Sequence, residues 1–540
     1  MARPDRDPDA DLPKDGKTDA LQSDIPSNDK DCHSPKPALG TARLIKGDGR
    51  IILVPTPSRD PADPLNWSPL RKWTILSLLV LWSATALSVQ NFLSNFLPSV
   101  YTRFPDATTN QINLLLTIST PLVAPGQLVF VPLALTYGRR FSLLLSITLL
   151  LVSTVWGACS TSYGSLLGAR VVEGFAGGPT DAMGFTIIQE FSFVHERGRM
   201  LGVLMMGQLA LQLVFAIATN YMAVSTGFKW PFVLFSCISA GTFIGLWIFM
   251  PETRYERHSE QNNLEITLKE HTAIRKALNS TGEFPHFGLK RQMSFWVGKG
   301  SGPDRDFFLV FRHIGAMLFH PVIWWSALLN AVMTGALIAF STIFAEMLVA
   351  PPWSWPATNV GLINIGAVVA ALLNWVLLGW GNDKLAVYLA KRNKGVSVPE
   401  HRLLLLSIPV AIGFAANIGF GAIAQRYLIT DPGGSQPHWF SLAFIFAIFY
   451  MAFGGILEVT YTYLAAMTEP SHSLAAMTVV SVLRDMISFG MSYGVNNFAV
   501  KYGYLTSFGV YGMLVAVFGL MGVPIYFYGK VLRTKLHSAI

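Results

Sequence analysis

The chain has 540 residues, 51% of them hydrophobic and only 13% charged, with a formal net charge of +8. A mean hydropathy of +0.43 makes lipid, not water, the expected solvent for most of that length. The excess of Lys and Arg falls in loops between apolar runs, which excludes nucleic acid as a partner and points to membrane topology instead.

Residues 1–70 are polar and rich in Asp, Pro, Ser and Lys, and are expected to form a disordered tail. Gly16-Lys17-Thr18 echoes the end of a phosphate-binding loop, but position 11 is Asp and no strand precedes it, so ATP is not expected there. No apolar h-region of a cleavable signal is visible before the first long apolar run. Twelve such runs follow, near 74–96, 112–135, 141–159, 164–188, 200–222, 229–250, 320–345, 358–380, 403–424, 439–464, 474–499 and 504–529. Each approaches the roughly 20 residues that a helix needs to cross a bilayer. The fold class is therefore an all-α membrane protein with twelve transmembrane helices in two six-helix bundles, 71–250 and 314–530. The polar segment 251–313 joins them, its stretch Leu264–Leu278 read as a tether or a surface helix, and 531–540 is a short tail. That plan is one of a secondary transporter.

Loops on one side carry Arg139, Arg140, Arg197, Arg199, Lys384, Lys391, Arg392, Lys394 and Arg402, against Arg103, Lys229, Arg426 and Lys501 on the other. The positive-inside rule then puts both termini and 251–313 in the cytosol of a cell-membrane protein. The sequons at Asn66 and Asn279 fall on that side and should carry no glycan. Cys32, Cys159 and Cys237 have neither disulfide nor metal spacing, so no metal and no cofactor are expected.

Charges inside spans cost about 2.5–3.5 kcal/mol each on insertion scales, which makes every one a candidate for function. The fourth span has Arg170, Glu173 and Asp181; the tenth has Glu458; the eleventh has Arg484 and Asp485. Arg170 and Glu173 are three apart and share a helix face. On an unbroken helix Asp181 lies on nearly that face, about 16 Å further along. This polar stripe should face the cavity or a partner helix, and Glu458 could serve coupling or pair with Arg484. Amides add to the set: Gln90 and Asn91 in span one, Gln208 in span five and Asn330 in span seven, each as suited to interhelical hydrogen bonds as to cargo. Gly174 and Gly178, four apart, read as a packing surface.

The loops carry a resemblance. Gly138-Arg139-Arg140, after Val131–Tyr137, resembles the loop between helices two and three of the major facilitator superfamily, with Leu135 where the acidic residue usually stands and Thr136 where a basic one does. Gly168–Gly178 is similar to that superfamily's fourth-helix pattern, whose arginine, here Arg170, the resemblance links with proton coupling. Glu190 and Glu196-Arg197-Gly198 are similar to the following loop, and Gly381-Asn382-Asp383-Lys384 to the second-half gate loop. The resemblance gives Arg139, Arg140, Glu190, Arg197 and Asp383 gating roles, with the acid retained only as Asp383. Asp63–Ser68 and Pro251–Tyr255 are similar to fungal drug:proton antiporter-type members. The fifth helix departs from them, because Gly207–Phe215 has no Gly-Pro pair.

The expected function is alternating-access movement of a small amphipathic organic molecule, coupled to protons and directed outward as efflux of a secondary metabolite or toxic compound. The protein should act as a monomer in the lipid bilayer. An importer of a nutrient or organic cation by proton symport is the second transport reading, and a transport-dead sensor or scaffold the rival from another class. No nucleophile–base arrangement or His-rich cluster in the spans suggests an enzyme.

Overall fold

A computed structural model describes residues 42–43, 63–93, 97–193, 196–254, 307–349, 353–356, 359–392, 396–430, 439–468, 470–493 and 495–539. Gly16-Lys17-Thr18, Cys32, Leu264–Leu278 and the Asn279 sequon lie outside them. The first half holds α1 (Pro69–Asn91), α2 (Leu97–Arg103), α3 (Thr109–Thr117), α4 (Ser119–Tyr137), α5 (Arg139–Cys159), α6 (Tyr163–Gly177), α7 (Thr180–Phe191), α8 (Arg197–Ser225) and α9 (Trp230–Phe249). The second holds α10 (Phe307–Met317), α11 (Pro321–Val349), α12 (Asn364–Asn374), α13 (Gly381–Arg392), α14 (Ser407–Gln425), α15 (Trp439–Met467), α16 (Pro470–Tyr493), α17 (Val495–Tyr502), α18 (Tyr504–Leu520) and α19 (Gly522–Ala539).

Among the described residues, 11 helical stretches are long and apolar enough to cross a membrane by themselves. The predicted fourth span is absent from that set for a local reason. It is divided into α6 and α7, because Pro179 has no N–H to donate and its ring crowds the preceding turn. Gly178 and Pro179 stay in the right-handed helical region, so the helix direction is kinked without being lost. The first span starts earlier than predicted, at Pro69, where Ser68 accepts from the Arg71 N–H and proline fits the first helical position.

Lipid explains what faces outward. Ile244, Phe249, Val369, Leu373, Leu520 and Phe527 all expose more than half of their surface. Such apolar cover would drive aggregation in water and is ordinary against hydrocarbon. Inside, polar side chains join helices where no water competes. Ser142 donates to the Phe130 carbonyl and Ser146 to that of Ala176, tying α5 to α4 and α6. Asn330 bridges α11 to Thr460 of α15 at 2.9 Å, and Asn374 donates to the Met451 carbonyl at 2.7 Å. The α4–α6 crossing is close enough that a Cβ on Gly174 would strike Ser119, and one on Gly178 would strike Gly126. Small residues there are a packing requirement, as their spacing suggests.

The halves meet along two seams. On one, α4 and α7 pack against α16; on the other, α8 packs against α12 and α15. Basic loops gather at one end of the molecule, where Arg139, Arg197 and residues 252–254 come together (the basic face below). Ala42–Arg43, before the first span, pairs antiparallel with Val396–Ser397, before the ninth. An even number of crossings separates those segments, as their shared face requires.

Candidate functional site between the halves

Arg170 is fully buried and surrounded by acceptors. Its guanidinium donates to the carbonyls of Val89 and Gln90 at 2.5 Å, to those of Leu115 and Leu116 at 3.3 Å, and to Glu173 Oε2 at 2.7 Å. Those carbonyls belong to the last turns of α1 and α3, where helix C-termini leave C=O groups unsatisfied and partial negative charge accumulates. One cation thus closes two helix ends. The Phe92 ring lies 5.9 Å away, and Ser119 donates to the Arg170 carbonyl. Gln90 is therefore engaged through its carbonyl, while its amide packs beside Gly177. Asn91 faces outward and donates back to Leu87.

Asp181 does not continue this cluster. Beyond the Gly178-Pro179 kink it sits in the first turn of α7 and meets the second half. Arg484 of α16 donates to Asp181 Oδ2 through one terminal nitrogen, and to Asp485 Oδ1 through the same nitrogen and Nε, at 2.7 and 2.8 Å. Its other terminal nitrogen reaches the Tyr461 hydroxyl of α15 at 3.5 Å. Ser481, one turn earlier on α16, donates to Gln127 Oε1 of α4 at 2.6 Å. The Phe185 and Tyr461 rings stack across the same boundary with centroids 4.9 Å apart. Four helices from both halves, α4, α7, α15 and α16, therefore share one polar core. Asp181 and Gln127 each lie about 15 Å from the basic-face ends of their helices, near mid-depth.

Glu458 is fully buried on α15 one turn before Tyr461, but Arg484 takes Asp181 and Asp485 as its carboxylates, not Glu458. Gln208 is buried in α8 beside Met205, and Asn330 is absorbed by Ser326 and Thr460 within the second half. The expected continuous stripe thus resolves into an internal pair, Arg170–Glu173, and an interface cluster, Asp181–Arg484–Asp485. Sequence reading noted Asp485 without selecting it and passed over Gln127, Ser481 and Tyr461. Their spacing was the available signal, since Ser481, Arg484 and Asp485 share one helical face.

At the basic face Arg139 pairs with Glu190 at 2.7 Å. The carboxylate of Glu252 accepts from the backbone N–H groups of Arg139, Arg140 and Arg254, at 3.0–3.1 Å. The N–H groups of Arg139 and Arg140 open α5, so Glu252 caps a helix N-terminus where negative charge is favoured. Gly138 is required beside it, because its φ of 117° and the adjacent Glu252 carboxylate exclude a Cβ. Thr253 donates to Glu190 and Arg254 to the Thr136 carbonyl. Arg140 donates to the Trp247 carbonyl, and Arg197 to that of Gln189. Glu252, which sequence analysis placed in a motif without a role, is thus the carboxylate bound to the start of α5, just after the loop in which Leu135 stands in place of an acid. In the second half Asp383 lies on α13, and its side chain is outside the described residues. Among the described residues no group of three or more His, Cys, Asp or Glu is arranged to hold a metal ion.

Two helical halves with apolar outer surfaces and a shared polar core at mid-depth define a multi-pass membrane carrier. The sequence matches the family model of the Major Facilitator Superfamily over residues 73–484. The chain belongs to that superfamily, and it is a secondary transporter, not an enzyme. It is 22% identical to an uncharacterized MFS-type transporter, C1271.10c, of Schizosaccharomyces pombe, over 91% of this chain and 89% of that one. It is 24% identical to the efflux pump radE of Floropilus chiversii over 64% of this chain and 61% of the other. Among solved structures, the proton:xylose symporter XylE aligns with a TM-score of 0.58 at 15% identity, covering 84% of this chain and 95% of that one. The last likeness concerns the fold alone.

Proposed function

We propose that the protein exports a small amphipathic organic molecule across a fungal cell membrane in exchange for protons. It does so as a monomer of two bundles, 71–250 and 314–530, with both termini cytosolic. The observation that carries this reading is the ion pair between Asp181 of the first half and Arg484 of the second. Alternating access requires a bond that holds the halves together in one state and is given up in the other. A carboxylate–guanidinium pair across the seam suits that task, because adding a proton to Asp181 removes one charge and weakens the bond. The name of radE supports the outward direction. The basic-loop asymmetry supports the orientation. Glu173 and Glu458 are the further buried carboxylates through which protons could couple, and Arg139, Arg140, Glu190, Arg197 and Asp383 are the proposed gate residues.

Sealed proteoliposomes loaded with the pH dye pyranine and made acid inside test the reading. Amphipathic probes such as rhodamine 6G, added outside one at a time, should alkalinise the lumen as each enters in exchange for protons. Acidification beyond the starting value in pH-balanced vesicles would mark symport and import. No proton movement with any probe removes proton coupling.

A further inference from the structure

The interface cluster is unbalanced. Asp181 and Asp485 supply two carboxylates to the single guanidinium of Arg484. Both acids are about 95% buried, so water does not screen the surplus negative charge. Hydrogen bonding is unbalanced in the same place. Asp485 Oδ2 is buried with no donor, and Gln127 Nε2 is buried with no acceptor. Gln127 belongs to the cluster, since its carbonyl oxygen is bound by Ser481, one turn from Asp485 on the same face of α16. A buried polar atom left unpaired is costly, and more so when it is charged. Tyr461, whose hydroxyl Arg484 reaches at 3.5 Å, stacks on Phe185 and brings an aromatic pair to the cluster.

We propose that this cluster is the cargo's charge-recognition site and takes a small organic monocation: a protonated amine that also carries a hydroxyl or carbonyl oxygen. The ammonium N–H donates to Asp485 Oδ2 and neutralises the surplus charge. The cargo oxygen accepts from Gln127 Nε2, and the rest of the molecule lies against Phe185 and Tyr461, whose ring faces favour a cation. A monocation fits where a dication would leave a new surplus. The same surplus can be neutralised by a proton, so cargo and proton exclude each other here, as exchange transport demands. This inference rests on the transport reading above and narrows it to a substrate class.

The test is binding to detergent-purified full-length protein, which needs no gradient and so stands apart from proton coupling. Three probes share one scaffold and differ in charge: tyramine, 4-hydroxyphenylacetamide and 4-hydroxyphenylacetate. Tyramine should bind about tenfold or more tightly than the neutral amide, and the acetate least. Asp485→Asn should bring tyramine and the amide within about threefold of each other, and Gln127→Leu should weaken both. Equal binding of tyramine and the amide to the wild-type protein overturns the proposal, whatever the variants do. Preferential binding of the acetate also overturns it and makes Arg484 the recognition group. If tyramine binds as expected but moves no protons in vesicles, the cation site stands and proton exchange fails.

Discussion

Arg170 and Arg484 are both buried arginines with carboxylate partners, yet they are held by different kinds of atoms. Four of the five acceptor groups around Arg170 are backbone carbonyls of its own half. Arg484 is held by side chains, one of them from the opposite half. Backbone acceptors at helix ends move only if the helices move, so Arg170 fixes the packing of α1, α3 and α6. A side-chain acceptor across a seam can be lost and regained as rigid halves rock. The difference teaches that burial and charge mark importance in both places, while the identity of the acceptors separates a fastener from a switch.

The largest effect expected from that contrast is Arg170→Ala. It leaves four carbonyls at two helix ends without their donor and strands Glu173 in apolar surroundings. Breaking a buried pair from one side costs about 3–5 kcal/mol. Thermal unfolding in detergent should therefore show a strongly destabilised or unrecoverable protein, with Arg170→Lys regaining only part because an ammonium cannot span the five groups. Wild-type thermal stability in Arg170→Ala would erase the distinction between the two arginines.

Asp181→Asn should behave in the opposite sense. Arg484 keeps Asp485 at 2.7 Å, so no buried cation is orphaned. Stability should change by less than about 2 kcal/mol, since amide replaces carboxylate in similar volume. Transport should fall sharply, and spin labels on the exposed positions Val171 of α6 and Met486 of α16 should report an altered distance distribution. An unchanged distribution with normal flux would show that the cross-seam bond is packing alone.

Much of this architecture was legible beforehand. The span positions followed from hydropathy, because a bilayer imposes length and composition on every crossing. What was not legible was partnership. Asp181 seemed to continue the Arg170–Glu173 face only while the fourth span was taken as one straight helix, although Gly178-Pro179 already offered the break. Its true partner lies about 300 residues away, at Arg484. No local spacing encodes such a pair. Glu252 shows the same limit on a smaller scale. The resemblance marks Leu135 as the place of a missing acid, but the carboxylate that meets the start of α5 arrives from the end of the sixth span and becomes a neighbour only when α5 and α9 pack together.

The smallest expected effect tests whether Glu252 truly stands in for that acid. Its carboxylate is held by N–H groups within the first half, so by the logic of the two arginines it should fix local geometry more than the state of the carrier. Glu252→Gln retains one acceptor oxygen and loses the charge that favours the α5 N-terminus. Capping and dipole contributions of this kind are each about 0.5–2 kcal/mol, so a modest drop in thermal stability and a slowed flux are expected. Leu135→Asp alone should be nearly silent, because Leu135 is only partly buried and Arg139 already pairs with Glu190. Combined with Glu252→Gln, however, it places a carboxylate beside Ala134, whose carbonyl the Arg139 side chain reaches at 3.5 Å, and should recover part of the lost stability. That non-additivity, read as a double-mutant cycle, is the decisive quantity. If the two changes simply add, the acid at 252 does not fill the role left open at 135, and the basic-face cluster of the first half is organised by Arg139–Glu190 alone.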